Sequence, residues 1–150
     1  MTTVPHLAFI GGGNMAGAIF GGLLWGGWPA TRITVVEPSD EQRARIAAAR
    51  PGVRLLAAAD ASLRDAQMVV WAVKPQSFPE AAAACAPHVA GALQLSVMAG
   101  VRSDAIARVA STERVVRAMP NTPALIGKGI AGLFARVAVG SDDRAAVERV

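Results

Sequence analysis

Along most of this 150-residue chain, apolar runs of strand length alternate with stretches in which apolar side chains recur at helical spacing. That alternation predicts an α/β domain of Rossmann type, a mostly parallel sheet with helices on both faces. Strands are expected at 6–10, 32–36, 53–56, 68–73 and 93–97, each apolar enough for burial on both faces. Helical spacing covers 14–24, 40–50, 78–89 and 103–110, and Ser39 or Asp40 is placed to cap the second of these. Two further short strands are expected at 114–118 and 130–134, after which Ser141 opens and caps a last helix.

Composition narrows the class. With 53% hydrophobic residues the chain has the apolar material for one ordinary core. The single cysteine, Cys85, has no internal disulfide partner, and His6 and His88 supply no closely spaced metal-ligand set, so no metal is expected and a reducing cytoplasm fits. A net charge of +4 would suit a nucleic-acid partner only if the cations clustered. Instead Arg43, Arg45, Arg50, Arg54 and Arg64 alternate with Glu41, Asp60 and Asp65, as on solvated helix faces. From 7 to 31 there is no charge, but the many glycines together with Asn14 and Pro29 argue against a membrane span. The first six residues lack the Lys or Arg of a signal peptide. No helix-stop residue follows Ser141, so residues 1–140 are expected to form a dinucleotide-binding domain and 141–150 to begin a helix leading into a second domain.

The candidate chemistry starts where the first strand ends. Gly11, Gly13 and Ala16 occupy the three small positions of the dinucleotide fingerprint, directly after a strand and opening a helix. Glycine at the first position allows the tight turn, at the second it admits a pyrophosphate to the backbone, and the small third residue keeps helix and sheet close. Glu37 closes the second strand near the spacing at which a carboxylate reaches a ribose, which favours NAD, while Arg43 and Arg45 lie near enough to offer a phosphate partner to NADP. A glycine-rich packing turn with a solvated Glu37 is the alternative. The fourth strand ends in Ala72-Val73-Lys74-Pro75, which puts one of the chain's two lysines where ligand crevices form. In Met119-Pro120-Asn121-Thr122-Pro123, two prolines hold a loop that presents an amide and a hydroxyl.

Taken in order, Ile10-Gly-Gly-Gly-Asn-Met-Ala-Gly-Ala-Ile, Ala72-Val-Lys-Pro-Gln, Ser96-Val-Met-Ala-Gly and Arg117-Ala-Met-Pro-Asn-Thr-Pro-Ala resemble the pyrroline-5-carboxylate reductase family over nearly the whole chain. The resemblance implies hydride transfer from NADP(H) or NAD(H) to the cyclic imine 1-pyrroline-5-carboxylate, giving L-proline. By position it places Ile10, Gly11, Gly12, Gly13, Asn14, Met15, Ala72, Val73, Lys74, Pro75, Ala99 and Gly100 at the cofactor. Met119, Pro120, Asn121 and Thr122 would border nicotinamide and substrate. A C-terminal helical domain, absent here, would make the homo-oligomer and supply most substrate contacts, leaving this chain alone inactive. Ala59 and Glu37 depart from the family, many members of which have a small or neutral residue at the position of Glu37 and use NADPH. Another imine, hydroxyacid or deazaflavin-linked reductase, or a non-catalytic dinucleotide sensor, is the alternative.

Overall fold

In a computed structural model describing residues 4–119 and 132–150, the apolar runs become strands β1 (Leu7–Ile10), β2 (Ile33–Val36), β3 (Arg54–Leu56), β4 (Met68–Trp71), β5 (Leu93–Ser96), β6 (Val115–Met119) and β7 (Gly132–Ala135). Between and after them lie helices α1 (Asn14–Trp25), α2 (Asp40–Ala49), α3 (Phe78–Val89), α4 (Ser103–Ala110) and α5 (Ser141–Glu148). The sheet order is β3-β2-β1-β4-β5-β6-β7, parallel throughout except for β7, which runs antiparallel to β6.

β1, β2, β4 and β5 are buried at every position because both faces are covered. Phe20, Ile46 and Val147, from α1, α2 and α5, pack with Phe9, Val35 and Val70 on one face; Phe78, Cys85 and Ile106, from α3 and α4, pack with Ala8, Val69 and Trp71 on the other. The most polar side chain in this core, Gln94 of β5, is fully satisfied. It accepts from Trp71 Nε1 at 2.7 Å and donates to the carbonyls of Val89 and Ala92, each at 2.9 Å.

Several expected boundaries shift. His6 precedes β1 and pairs through its side chain with Thr34, while Arg32 closes a 3-10 turn ahead of β2. The fourth and fifth strands stop at Trp71 and Ser96, and the last begins at Gly132, with residues 130 and 131 outside the described region. β3 is not buried on both faces as expected: Arg54 is exposed and Leu55 and Leu56 half-buried, because β3 is an edge strand with one neighbour. Ser39, not Asp40, caps α2, accepting from Gln42 N at 3.2 Å. Ser141 begins α5 but does not cap it; Gly140 holds that position. Asp143 in the first turn instead receives two hydrogen bonds from Arg114, at 2.9 and 2.7 Å, tying α5 to the start of β6. Those bonds hold the Asp143 carboxyl below its ordinary pKa.

Candidate dinucleotide site at the strand carboxyl ends

The chain runs from β1 to β2 in one direction across the sheet and from β4 to β5 in the other, so the reversal falls between β1 and β4. At such a reversal two connections leave to opposite faces and a crevice opens at the strand carboxyl ends. Four amides beyond the strands line up the floor of this crevice. Glu37 N donates to Leu56 O at 2.9 Å, Gly11 N to Val36 O at 2.9 Å, Ala72 N to Ile10 O at 2.8 Å, and Val97 N to Trp71 O at 3.0 Å.

The three glycines after Ile10 are there for three different reasons. Gly11 has φ +100°, and a Cβ on it would lie 2.7 Å from the Ala72 carbonyl oxygen. Gly12 is packed, its hypothetical Cβ 2.8 Å from Ile46 Cδ1 and 3.1 Å from Val35. Gly13 meets nothing within 4 Å and faces open space. It is also the cap of α1, and it brings no side-chain acceptor to the helix start. The first helical bond is Gly17 N to Gly13 O at 2.9 Å, leaving the amides of Asn14, Met15 and Ala16 as free donors in a first turn without an acidic residue. A row of donors at the positive end of a helix dipole, exposed at Asn14, half-buried at Met15 and buried at Ala16, and bordered by a Gly13 with no Cβ, suits an anion such as a pyrophosphate.

Glu37 sits half-buried beside this turn. Its Oε1 accepts from Gly12 N at 3.1 Å and its Oε2 from Ser39 N at 2.9 Å. One residue that the sequence did not single out completes the arrangement: Gln42 Nε2 donates to Gly12 O at 2.7 Å. Ser39-x-x-Gln42 has the spacing of a capping box, in which the glutamine would ordinarily return to the Ser39 amide. Glu37 has taken that amide, so the glutamine is released to hold the glycine turn. The capping spacing was the only signal in the sequence for it.

The remaining expected residues that are described lie at or just beyond the carboxyl ends of β1, β4, β5 and β6. Ile10 is buried at the end of β1, Asn14 is exposed and Met15 half-buried at the start of α1. Ala72 and Val73 are half-buried beyond β4, while Lys74 and Pro75 are exposed where a 3-10 turn begins. Ala99 and Gly100 are exposed beyond β5, with Gly100 at φ +73°. Met119 is the last residue of β6, and Pro120, Asn121 and Thr122 lie outside the described residues. Ala59 is half-buried and packs against the core. A groove lined by Leu24, Trp25 and Arg50 opens at the opposite end of α1 and takes no part in the crevice.

The two arginines expected as phosphate partners are engaged elsewhere. Arg43 donates to the carbonyls of Glu37 at 2.7 Å and Pro38 at 2.9 Å and pairs with Asp40. Arg45 pairs with Glu41 one helical turn away, at 2.6 Å. Among the described residues, no cluster of three or more His, Cys, Asp or Glu could hold a metal, and no helix is long and apolar enough to cross a membrane. Burial pushes the Cys85 thiol up to about 11, which makes it a core residue rather than a nucleophile.

A doubly wound sheet whose central strand feeds a glycine turn and an open helix start defines a dinucleotide-binding domain of the Rossmann class. The chain belongs to the family described as NADP oxidoreductase, coenzyme F420-dependent, whose model matches residues 6–100. It is 44% identical over 134 residues to the pyrroline-5-carboxylate reductase of Haemophilus influenzae, a match covering 86% of this chain and 48% of that protein. A pyrroline-5-carboxylate reductase structure from Coxiella burnetii superimposes with a TM-score of 0.86 at 31% identity, covering 97% of this chain and 55% of that one. The Plasmodium falciparum pyrroline carboxylate reductase with NADP bound shares the fold, with a TM-score of 0.79 at 23% identity over 95% of this chain and 52% of that one. The chain thus spans about half the length of the curated relatives it matches.

Proposed function

We propose that this chain is the dinucleotide-binding half of a pyrroline-5-carboxylate reductase, acting in a reducing cytoplasm on a small-molecule imine rather than on nucleic acid or a membrane. The observation that carries this proposal is the glycine turn, where Gly11 and Gly12 have no room for a Cβ and Gly13 opens three free amides to an anion. The Haemophilus influenzae and Coxiella burnetii relatives, both named as pyrroline-5-carboxylate reductases, support the choice of substrate.

When bound, the reduced nicotinamide supplies the hydride that the imine carbon accepts. The residues of this chain bind and orient. The amides of Asn14, Met15 and Ala16 hold the pyrophosphate, Gln42 and Glu37 keep the turn in the geometry that presents them, and Ile10, Ala72 and Val73 form the crevice wall. Lys74 and Pro75 stand at the rim with Ala99 and Gly100, and Met119, Pro120, Asn121 and Thr122 border the nicotinamide and substrate. Holding the hydride donor against one face of an electrophilic imine is a positioning task, which a rigid strand-end crevice performs well. Residues 1–140 are the dinucleotide domain in this proposal. Residues 141–150 lead toward a helical domain that provides most substrate contacts and the homo-oligomer.

A chimera tests the assignment. This chain replaces the matching half of the Haemophilus influenzae relative, and consumption of reduced nicotinamide is followed with 1-pyrroline-5-carboxylate and, separately, with a 2-hydroxyacid/oxoacid pair. Turnover with the imine alone is expected. A folded chimera that turns over only the oxoacid, or that binds dinucleotide and ignores both substrates, overturns it.

A further inference from the structure

The segment that leaves β5, residues 97–102, is held at both ends and open only in the middle. Val97 N donates to Trp71 O at 3.0 Å, which ties its first residue to β4. Met98 and Val101 bury their side chains in the core that α3 and α4 cover. Between them Ala99 and Gly100 are exposed, and Gly100 has φ +73°, a left-handed conformation that turns the chain back toward α4. The result is a short arch of backbone at the carboxyl end of β5. Ser96, the last residue of β5, is buried beneath it, in register with Trp71 of β4 and Arg117 of β6. Its Oγ accepts from Met98 N at 3.2 Å, and among the described residues the Met98 amide has no other hydrogen bond. A buried hydroxyl is less favourable than an apolar side chain unless it is hydrogen-bonded, and this one bonds to the arch rather than to a neighbouring strand.

From these observations we propose that Ser96 is a positioning residue: by holding the Met98 amide it fixes the β5 arch in the shape that presents the Ala99–Gly100 backbone to the nicotinamide end of the cofactor. The inference rests on the dinucleotide-binding assignment above and adds to it a residue that touches neither cofactor nor substrate. The direction follows from the sheet. The free amides of the glycine turn stand beyond β1 in the order β3-β2-β1-β4-β5. A dinucleotide that lays its pyrophosphate there and its adenosine toward β2 lays its other half over β4 and β5. β5 is two strand spacings from β1, about 10 Å, a distance that a nucleoside spans.

Removing the hydroxyl leaves a buried amide without an acceptor, a state that the segment relieves by turning Met98 N toward water. Ala99 and Gly100 follow directly after Met98 and move with it. The glycine turn is untouched, since its own bonds run to Glu37 and Gln42. The loss therefore falls on one half of the ligand only.

The test measures amide hydrogen exchange in the chain itself, saturated in turn with NADH and with ADP-ribose, which lacks only the nicotinamide. NADH is expected to slow exchange at Ala99 and Gly100 about tenfold more than ADP-ribose does, while both protect Asn14 alike. Ser96→Ala is expected to abolish the difference at Ala99 and Gly100 and to keep the protection of Asn14. Ser96→Thr, which retains the hydroxyl, is expected to restore the difference; where its extra methyl unfolds the chain, Ser96→Cys, a weak acceptor of nearly the same size as serine, is expected to give an intermediate one. Equal protection of the arch by the two ligands in the wild type overturns the proposal, as does a difference that survives Ser96→Ala, or a folded Ser96→Thr that behaves as the alanine variant. Loss of protection at Asn14 together with the arch in Ser96→Ala also overturns it, since that marks a general loosening. A folded wild-type chain that binds neither ligand overturns the dinucleotide assignment itself, an outcome distinct from binding that leaves the arch unaffected.

Discussion

The chain leaves the sheet toward a helix at two adjacent strand ends, from β1 into α1 and from β4 into α3, and the two exits are built oppositely. From β1 the path is three glycines without side chains, an uncapped helix start and a first turn free of acid. From β4 it is six residues, a 3-10 turn begun by Pro75, and a helix whose first turn holds Pro79 and Glu80. Proline removes a donor and glutamate offsets the helix dipole, so the second helix start has already been neutralised by its own sequence. The first has been left unsatisfied. Two crossings of one sheet thus differ in what they leave open, one a helix start with unpaired backbone donors and the other a neutralised helix start preceded by the exposed Lys74.

The contrast can be broken most severely at Gly11. Gly11→Ala is expected to cost about 3 kcal/mol or more, since the new Cβ meets the Ala72 backbone in a conformation that alanine disfavours; urea denaturation measures it. In the second crossing, Gln94→Leu strands the buried Trp71 Nε1 and should cost about 2 kcal/mol without altering dinucleotide affinity. Gly13→Ala sharpens the comparison from the other side. Its Cβ points into open space, so stability should change by less than about 1 kcal/mol, while NADH affinity falls about tenfold. A variant that loses stability and keeps affinity would show that the open side is not where the ligand lies.

Smaller effects lie at the edges. Asp143→Asn should cost about 1 kcal/mol at neutral pH, because its partner Arg114 is partly exposed and screened. As the folded Asp143 carboxyl is held below its unfolded value of about 3.9, its contribution is complete above that pH and disappears as pH falls through the folded value. Melting curves of wild type and variant should therefore converge in acid. The smallest change expected is from Lys74→Met, a loss of about threefold in dinucleotide affinity that fades with added salt, in keeping with an exposed cation at the rim.

Local signals carried most of the fold. Strands and helices are separated by periodicity, and the glycine turn follows from a short run whose meaning depends only on what flanks it. The sequence failed where partners are distant. Gln42 has the spacing of a capping box with Ser39, but Glu37 has taken the Ser39 amide that the glutamine would have accepted from. Arg43 reads as a phosphate ligand until the carbonyls of Glu37 and Pro38 come within 2.9 Å of it. β3 reads as a buried strand because nothing in three residues announces that it will lie at an edge.

The amides of Gly11, Glu37, Ala72 and Val97 that align the crevice floor carry a kinetic signature as well. Bonded between strand ends, they should exchange their hydrogens with solvent only in openings that separate neighbouring strands, whereas Asn14, exposed a few ångströms along the same turn and without an intrahelical acceptor, should exchange at nearly the rate of an unstructured chain. Deuterium uptake would then draw the crevice as a sharp border between protected and unprotected amides, and a bound dinucleotide would move that border by one helical turn.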